Sequence, residues 1–178
     1  QVGYVITAIG LGTALGLSSG LYHAMNHTIF KGLLFLTAGA VQHATGTLDL
    51  DRLGGLAKKM PKTCVLFLIG AASISGLPPF NGFASKWYIY QAAFEKGSTS
   101  GNFFFIFVCI VALLTSVLTL ASFIKVAQSV FFGQLSPEFK DTKEVSLAMR
   151  IPMWILAVLC IVTGLVPGKV SEYLLTPA

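Results

Sequence analysis

The chain has 178 residues, 54% of them hydrophobic and only 11% charged, with a mean hydropathy of +0.78. Ordinary soluble domains carry about 25% charged residues, so a separate water-soluble domain of any size is excluded and lipid is the expected solvent. The net charge of +5 is not a nucleic-acid footprint, because the basic residues lie in connections between apolar runs, where positive-inside topology puts them.

Five apolar segments follow from charge and from Gly/Pro punctuation: residues 2–16, about 19–43, 63–94, 103–132 and about 145–166. The length allows about five spans of roughly 20 residues each. The expected fold is therefore all-α, a polytopic transmembrane helix bundle with one broken span. The first segment is short for a span, and the chain opens on Gln1 directly into it, which places the expected native start upstream.

Arg52, Lys58, Lys59 and Lys62 lie between the second and third segments, and Lys140, Lys143 and Arg150 between the fourth and fifth. The alternate connections hold only Lys96 and the C-terminal tail only Lys169. That bias puts the richer connections in the cytoplasm. Gln1 is expected on the same side, Ala178 on the other, and the chain in the inner (cytoplasmic) membrane.

The third segment is interrupted by Leu77-Pro78-Pro79-Phe80-Asn81-Gly82. Unbroken, its length would make a helix of about 48 Å against roughly 30 Å of hydrocarbon. Pro78 and Pro79 remove amide donors and clash with the preceding turn, and Gly82 is expected to supply flexible backbone. Two half-helices joined inside the membrane are the expected result, the alternative being a kinked packing helix. In transporters such breaks mark ion pathways.

Lys86 follows the break, and Lys31 lies near the middle of the second segment. A lysine at helix centre costs about 2.5–3.5 kcal/mol on insertion scales. Snorkelling to an interface is awkward from either position. Desolvation opposes the charged form, which suits a group that must accept and release a proton. His23, His27 and Lys31 stand at i, i+4 and i+8, a stripe on one helix face that drifts by about 40° per step. Imidazole can accept on one nitrogen while donating from the other, and Asn26 adds an amide beside the stripe, so a proton relay is expected. A zinc site would need a third ligand, and no Cys, Asp or Glu is placed to supply one.

Lys125 is balanced between a relay role and snorkelling, because residues 103–124 are already long enough to span. His43 ends its segment and reads as an interfacial cap. The acids Asp49, Asp51, Glu95, Glu138, Asp141, Glu144 and Glu172 all lie in connections, at helix ends or in the tail. Any counter-charge for the buried lysines must come from elsewhere, or the lysines must be neutral. Cys64, Cys109 and Cys160 stand singly in apolar runs and read as small hydrophobes. No redox cofactor or metal is expected in this chain.

The run Leu21-Tyr22-His23-Ala24-Met25-Asn26-His27-Thr28-Ile29-Phe30-Lys31-Gly32-Leu33-Leu34-Phe35-Leu36 resembles the H-x-x-x-H-x-x-x-K-x-x-L-F-L helix of the antiporter-like proton-channel family. Leu53-Gly54-Gly55-Leu56 with Met60-Pro61 resembles that family's cytoplasmic loop, and Gly76 to Phe83 with Ser85-Lys86 resembles its broken helix. The family includes the large membrane subunits of complex I, the Mrp-type sodium/proton antiporters and the membrane-bound [NiFe] hydrogenases. Ala121-Ser122-Phe123-Ile124-Lys125 with Phe132-Gly133 is similar to the hydrogenase branch.

By this resemblance Lys31 takes the central-axis position, His23 and His27 precede it, and Lys86 is the broken-helix lysine leading to the exit. Residues 1–178 would be one domain, the C-terminal part of a proton-conducting membrane domain whose first repeat is missing. The implied role is translocation of protons, or of Na⁺ and protons, by a non-redox membrane subunit of an oxidoreductase complex. Its implied partners are other membrane subunits and peripheral iron–sulfur subunits, and no nucleic acid. The rivals are an Mrp-type antiporter subunit, a non-conducting structural subunit, and a transporter of an organic solute, against which these spans offer few polar side chains.

Overall fold

The computed structural model describes residues 1–168, whose regular structure is entirely helical. The helices are α1 (Val2–Gly10), α2 (Ala14–Thr45), α3 (Pro61–Ser75), α4 (Asn81–Ser100), α5 (Phe103–Val130) and α6 (Leu147–Leu165). Lys169, Glu172 and Ala178 lie outside the described residues.

The first boundary falls earlier than the hydropathy pattern implies. The Thr13 hydroxyl accepts from the Gly16 amide at 3.0 Å and so starts α2 at Ala14. Residues 14–16, expected in the first segment, therefore belong to α2. The nine residues of α1 rise only about 13 Å, less than half of the roughly 30 Å hydrocarbon core. Gln1 Nε2 donates to the Ile74 carbonyl at 3.4 Å, near the end of α3. Gln1 thus lies at the helix break and not at the basic end of the bundle, which corrects the expectation for it.

The two basic connections meet at one end, as alternation of the spans requires. Gly55 N donates to Phe132 O at 3.2 Å and Ala57 N to Phe131 O at 2.9 Å. Arg52 pairs with Glu138 beside them in the open, where such a pair contributes little. The Glu144 carboxylate does more. It accepts from the amides of Lys62 and Thr63 at 2.8 and 3.2 Å and from the Thr63 hydroxyl at 2.5 Å. The two amides are orphan donors at the positive end of α3. Replacing Glu144 with Ala is expected to lower stability by about 1–2 kcal/mol, read as a lower Tm in detergent, with Glu144→Gln losing about half as much.

The apolar core lies between α2, α3 and α6, where Phe30, Leu33, Leu66 and Met153 are fully buried. α5 and α6 are each long and apolar enough to cross a bilayer. They turn Phe103, Leu118, Leu147 and Ile155 outward, as a lipid-facing surface requires.

The expected interruption lies at residues 76–80, between α3 and α4. Gly76 takes a left-handed φ of +81°. With it, Gly76 N reaches Ser73 O and Leu77 N reaches Ala72 O, both at 3.0 Å, closing the end of α3. The Pro78–Pro79 bond is cis. Gly82 differs from expectation, because it sits inside α4 rather than in a flexible joint. A Cβ there would stand 1.7 Å from Ser73 O, so glycine is required to let the two half-helices approach. Gly164 of α6 does the same on the other side, where a Cβ would meet Pro79 O at 2.2 Å.

Candidate functional site

The restart of α4 immediately after the break places Lys86 in its second turn, pointing back at the end of α3. Lys86 is 1% exposed. Its Nζ donates to Ile74 O at 2.9 Å and to Ser116 Oγ of α5 at 3.1 Å, and lies 4.7 Å from the ring centroid of Tyr4. Ile74 O is available because the last carbonyls of a helix have no donor within it, and they form the negative end of its dipole. The lysine therefore caps a half-helix inside the bundle.

Ser116 is a junction. The Tyr90 hydroxyl lies 2.7 Å from its Oγ and the Tyr4 hydroxyl 2.9 Å from it. Tyr4 also donates to Ala112 O at 2.6 Å. A cavity of about 260 Å³ lies alongside, lined by Gly76, Leu77, Lys86, Tyr90, Ser116 and Leu120 among others.

A second polar chain leads in from α2. His23 is fully buried, with Nδ1 at 2.9 Å from Ser85 Oγ, which in turn donates to Asn81 O at 3.1 Å. Asn81 Nδ2 donates to Asn26 Oδ1 at 3.1 Å, and Asn26 Nδ2 to Asn81 O at 3.3 Å. The ring centroids of His23 and Tyr4 are 5.5 Å apart, so the Tyr4 ring neighbours both His23 and Lys86. His23 Nε2, Ser73 Oγ, Ser75 Oγ and Asn81 Oδ1 are buried with no hydrogen-bond partner among the described residues.

The stripe on α2 divides. His23 joins the Lys86 cluster. His27 is half-buried, its ring edge-to-face with Phe30 at 5.5 Å between centroids, and Lys31 is exposed, its Nζ 5.2 Å from the Phe35 centroid. The drift of the stripe carries it from the interior to the outer face of α2 within two turns. Lys125 is exposed on α5, about 14 Å along the axis from Ser116, and is not part of the cluster. His43 is exposed at the end of α2.

Among the described residues the one ion pair is Arg52–Glu138, so no carboxylate pairs with Lys31, Lys86 or Lys125. Nor do the described residues bring three His, Cys, Asp or Glu side chains together as a metal site. Sequence reasoning missed Tyr4, Tyr90 and Ser116. All three lie in apolar runs with no local pattern, and only the docking of α1, α4 and α5 brings them to one point.

A family described as NADH:quinone oxidoreductase/Mrp antiporter, TM, matches residues 1–119. The chain belongs to that transmembrane family. Subunit A1 of the Na(+)/H(+) antiporter of Staphylococcus aureus strain JH9 is 36% identical over the whole chain, which covers 24% of that protein. The solved structure of the membrane-bound sulfane sulfur reductase, an archaeal respiratory membrane complex, contains a chain 35% identical with a TM-score of 0.88, over 97% of this chain and 27% of that one. The Mrp complex of Dietzia sp. contains another, 27% identical with a TM-score of 0.84, over 96% of this chain and 38% of that one. The chain thus spans only between about a quarter and two-fifths of the length of these relatives. As an antiporter-family bundle, it shares its fold with chains of multi-subunit membrane complexes.

Proposed function

We propose that residues 1–178 are the C-terminal part of a proton-conducting, antiporter-like membrane domain and that Lys86 is its proton carrier. The carrying observation is a buried lysine held by a helix-end carbonyl and a hydroxyl, with no carboxylate beside it. Neutral dipoles soften the cost of burying the ammonium, but they do not fix the charge as an ion pair would. Such a lysine can exist in both protonation states. His23, whose ring lies against that of Tyr4 and whose Nδ1 meets Ser85 Oγ, is the nearest relay partner that α2 offers. His27 and Lys31 extend the route to the outer face of α2, and Lys125 belongs to the end of α5 nearer the basic connections.

In this reading the chain is a non-redox translocase subunit, multi-pass in the cytoplasmic (inner) membrane. It works beside other membrane subunits and peripheral iron–sulfur subunits, as in complex I or a membrane-bound hydrogenase. Likeness to Na(+)/H(+) antiporter subunit A1 and to a chain of the Mrp complex supports a second reading, an Mrp-type subunit that exchanges Na⁺ for protons without redox partners. A non-conducting structural subunit is the rival from another class.

Purification of the complete complex in mild detergent, with mass spectrometry of the chains and assay of iron and nickel, separates these. Iron–sulfur chains are expected, with nickel for a hydrogenase and without it for a complex I-like enzyme. Small membrane partners and no metal would establish the Mrp-type reading. A chain that purifies alone would overturn the subunit reading, and unchanged transport in Lys31→Ala and Lys86→Ala complexes would leave only a packing role.

A further inference from the structure

We propose that Ser116 is a positioning residue for Lys86: its hydroxyl, oriented by Tyr4 and Tyr90, presents a lone pair to the ammonium and holds it at the helix break. The inference rests on the reading of Lys86 as the carrier.

Proton inventory fixes the orientation. Tyr4 has one hydroxyl proton and commits it to Ala112 O at 2.6 Å, so toward Ser116, at 2.9 Å, its oxygen accepts. Ser116 therefore donates its only proton to Tyr4. That leaves two lone pairs on Ser116 Oγ, one for the Tyr90 hydroxyl at 2.7 Å and one for Lys86 Nζ at 3.1 Å. Every valence of the serine is used, and all in one sense: Tyr90 and Lys86 into Ser116, Ser116 into Tyr4, Tyr4 into a main-chain carbonyl.

Two consequences follow. A lone pair faces Lys86, and the hydroxyl cannot turn its proton toward the ammonium without breaking the bond to Tyr4. A proton cannot leave Lys86 along this arm either, because the arm ends at the Ala112 carbonyl and the other arm ends at Ile74 O. The two bonds are a clamp and not a conduit. The ionisable groups around Lys86 are the Gln1 amino group beside α1, Tyr4 from α1, His23 from α2 and Tyr90 on its own helix. α3 contributes a carbonyl and α5 a serine, so Ser116 is the adjustable neutral contact.

The test uses the complete parent complex in sealed vesicles, with proton movement followed across a pH series for Ser116→Ala, Ser116→Thr, Tyr4→Phe and Lys86→Met. Ser116→Ala is expected to lose about 10- to 100-fold in rate near neutrality, the scale of one hydrogen bond to a charged group. Its pH profile should be displaced along the pH axis, not merely scaled down. Ser116→Thr keeps the hydroxyl, and the adjoining cavity of about 260 Å³ has room for its methyl. It should restore the rate to within about twofold and return the profile to its place.

A wild-type rate and profile in Ser116→Ala overturns the inference, and so does Ser116→Thr behaving like the alanine variant. Should Ser116→Ala fail to assemble, Tyr4→Phe decides. It keeps the ring against Lys86 and removes the acceptor that orients Ser116, so a displaced profile supports the clamp and an unmoved one overturns it. Lys86→Met keeps the two questions apart: intact transport in that variant defeats the carrier reading itself, whatever Ser116 does.

Discussion

Proton translocation by the complete parent complex is expected to fall at least about a hundredfold in a Lys86→Met variant, equivalent to about 2.7 kcal/mol, while assembly persists. Methionine preserves most of the length and apolar stem of lysine and removes only what carries a proton. Ile74 O and Ser116 Oγ each lose one donor, but Ile74 O keeps Gln1 Nε2 and Ser116 keeps both tyrosines, so each loss costs about 0.5–1.5 kcal/mol. Removing an ammonium that is 1% exposed offsets much of that. The bundle should therefore melt within a few degrees of wild type, which separates loss of transport from loss of fold. Lys86→Arg sharpens the test. Guanidinium keeps the charge and the donors but does not give up its proton, so it should be almost as inactive as methionine. An arginine variant that pumps normally would show that Lys86 supplies charge and not protons. A methionine variant that pumps normally would end the carrier reading.

The second large effect is expected at Gly82. Alanine there puts a methyl carbon 1.7 Å from Ser73 O, a main-chain atom of α3. A flexible side chain could swing away, but a helix backbone cannot without moving the helix. Overpacking commonly costs about 1–3 kcal/mol, and this clash against main chain should reach or exceed the top of that range. The expected result is a complex that fails to accumulate, or that runs as dissociated subunits on size exclusion in detergent. Gly39 is the control. It lies on the exposed face of α2 with nothing within 4 Å of a Cβ, so Gly39→Ala should be neutral or gain up to about 1 kcal/mol of helix stability. Equal yields of the two variants would refute the close-approach role of Gly82.

Hydropathy and punctuation disclosed the helices because lipid penalises any unpaired backbone, leaving few ways to read an apolar run. The double proline made the break at residues 76–80 legible for the same reason. Lys86 was legible as a costly residue in the wrong solvent. What surrounds it was not. Ser116 looks like any small residue in an apolar helix, where a hydroxyl can satisfy itself on its own backbone, as Thr115 does on Val111 O at 2.8 Å. Tyr4 and Tyr90 are common near membranes, and Tyr4 joins α5 across 108 positions of sequence. Gly82 was noticed for the wrong property, since its lack of a side chain and its freedom of φ leave the same letter in the sequence. Lys31 was legible as a member of a stripe, but 40° per step was enough to turn it from the inside of α2 to the outside.

The partners of Lys86 are synthesised at different times, and this bears on how the protein enters the bilayer. When α4 leaves the ribosome, Tyr4 and the end of α3 have already emerged, whereas Ser116 has not. The lysine must therefore partition toward lipid before one of its two acceptors has reached the membrane, on a helix that also carries Asn81, Ser85, Tyr88 and Gln91. α5 follows after a connection of only two residues, Gly101 and Asn102, and is itself long and apolar enough to insert. Its favourable transfer can carry the reluctant segment before it, since apolar residues gain about 0.3–0.6 kcal/mol each on the insertion scale where lysine loses several times that. The short Gly101–Asn102 turn thus makes α4 and α5 one unit of insertion, and lengthening it would delay the serine that the lysine needs.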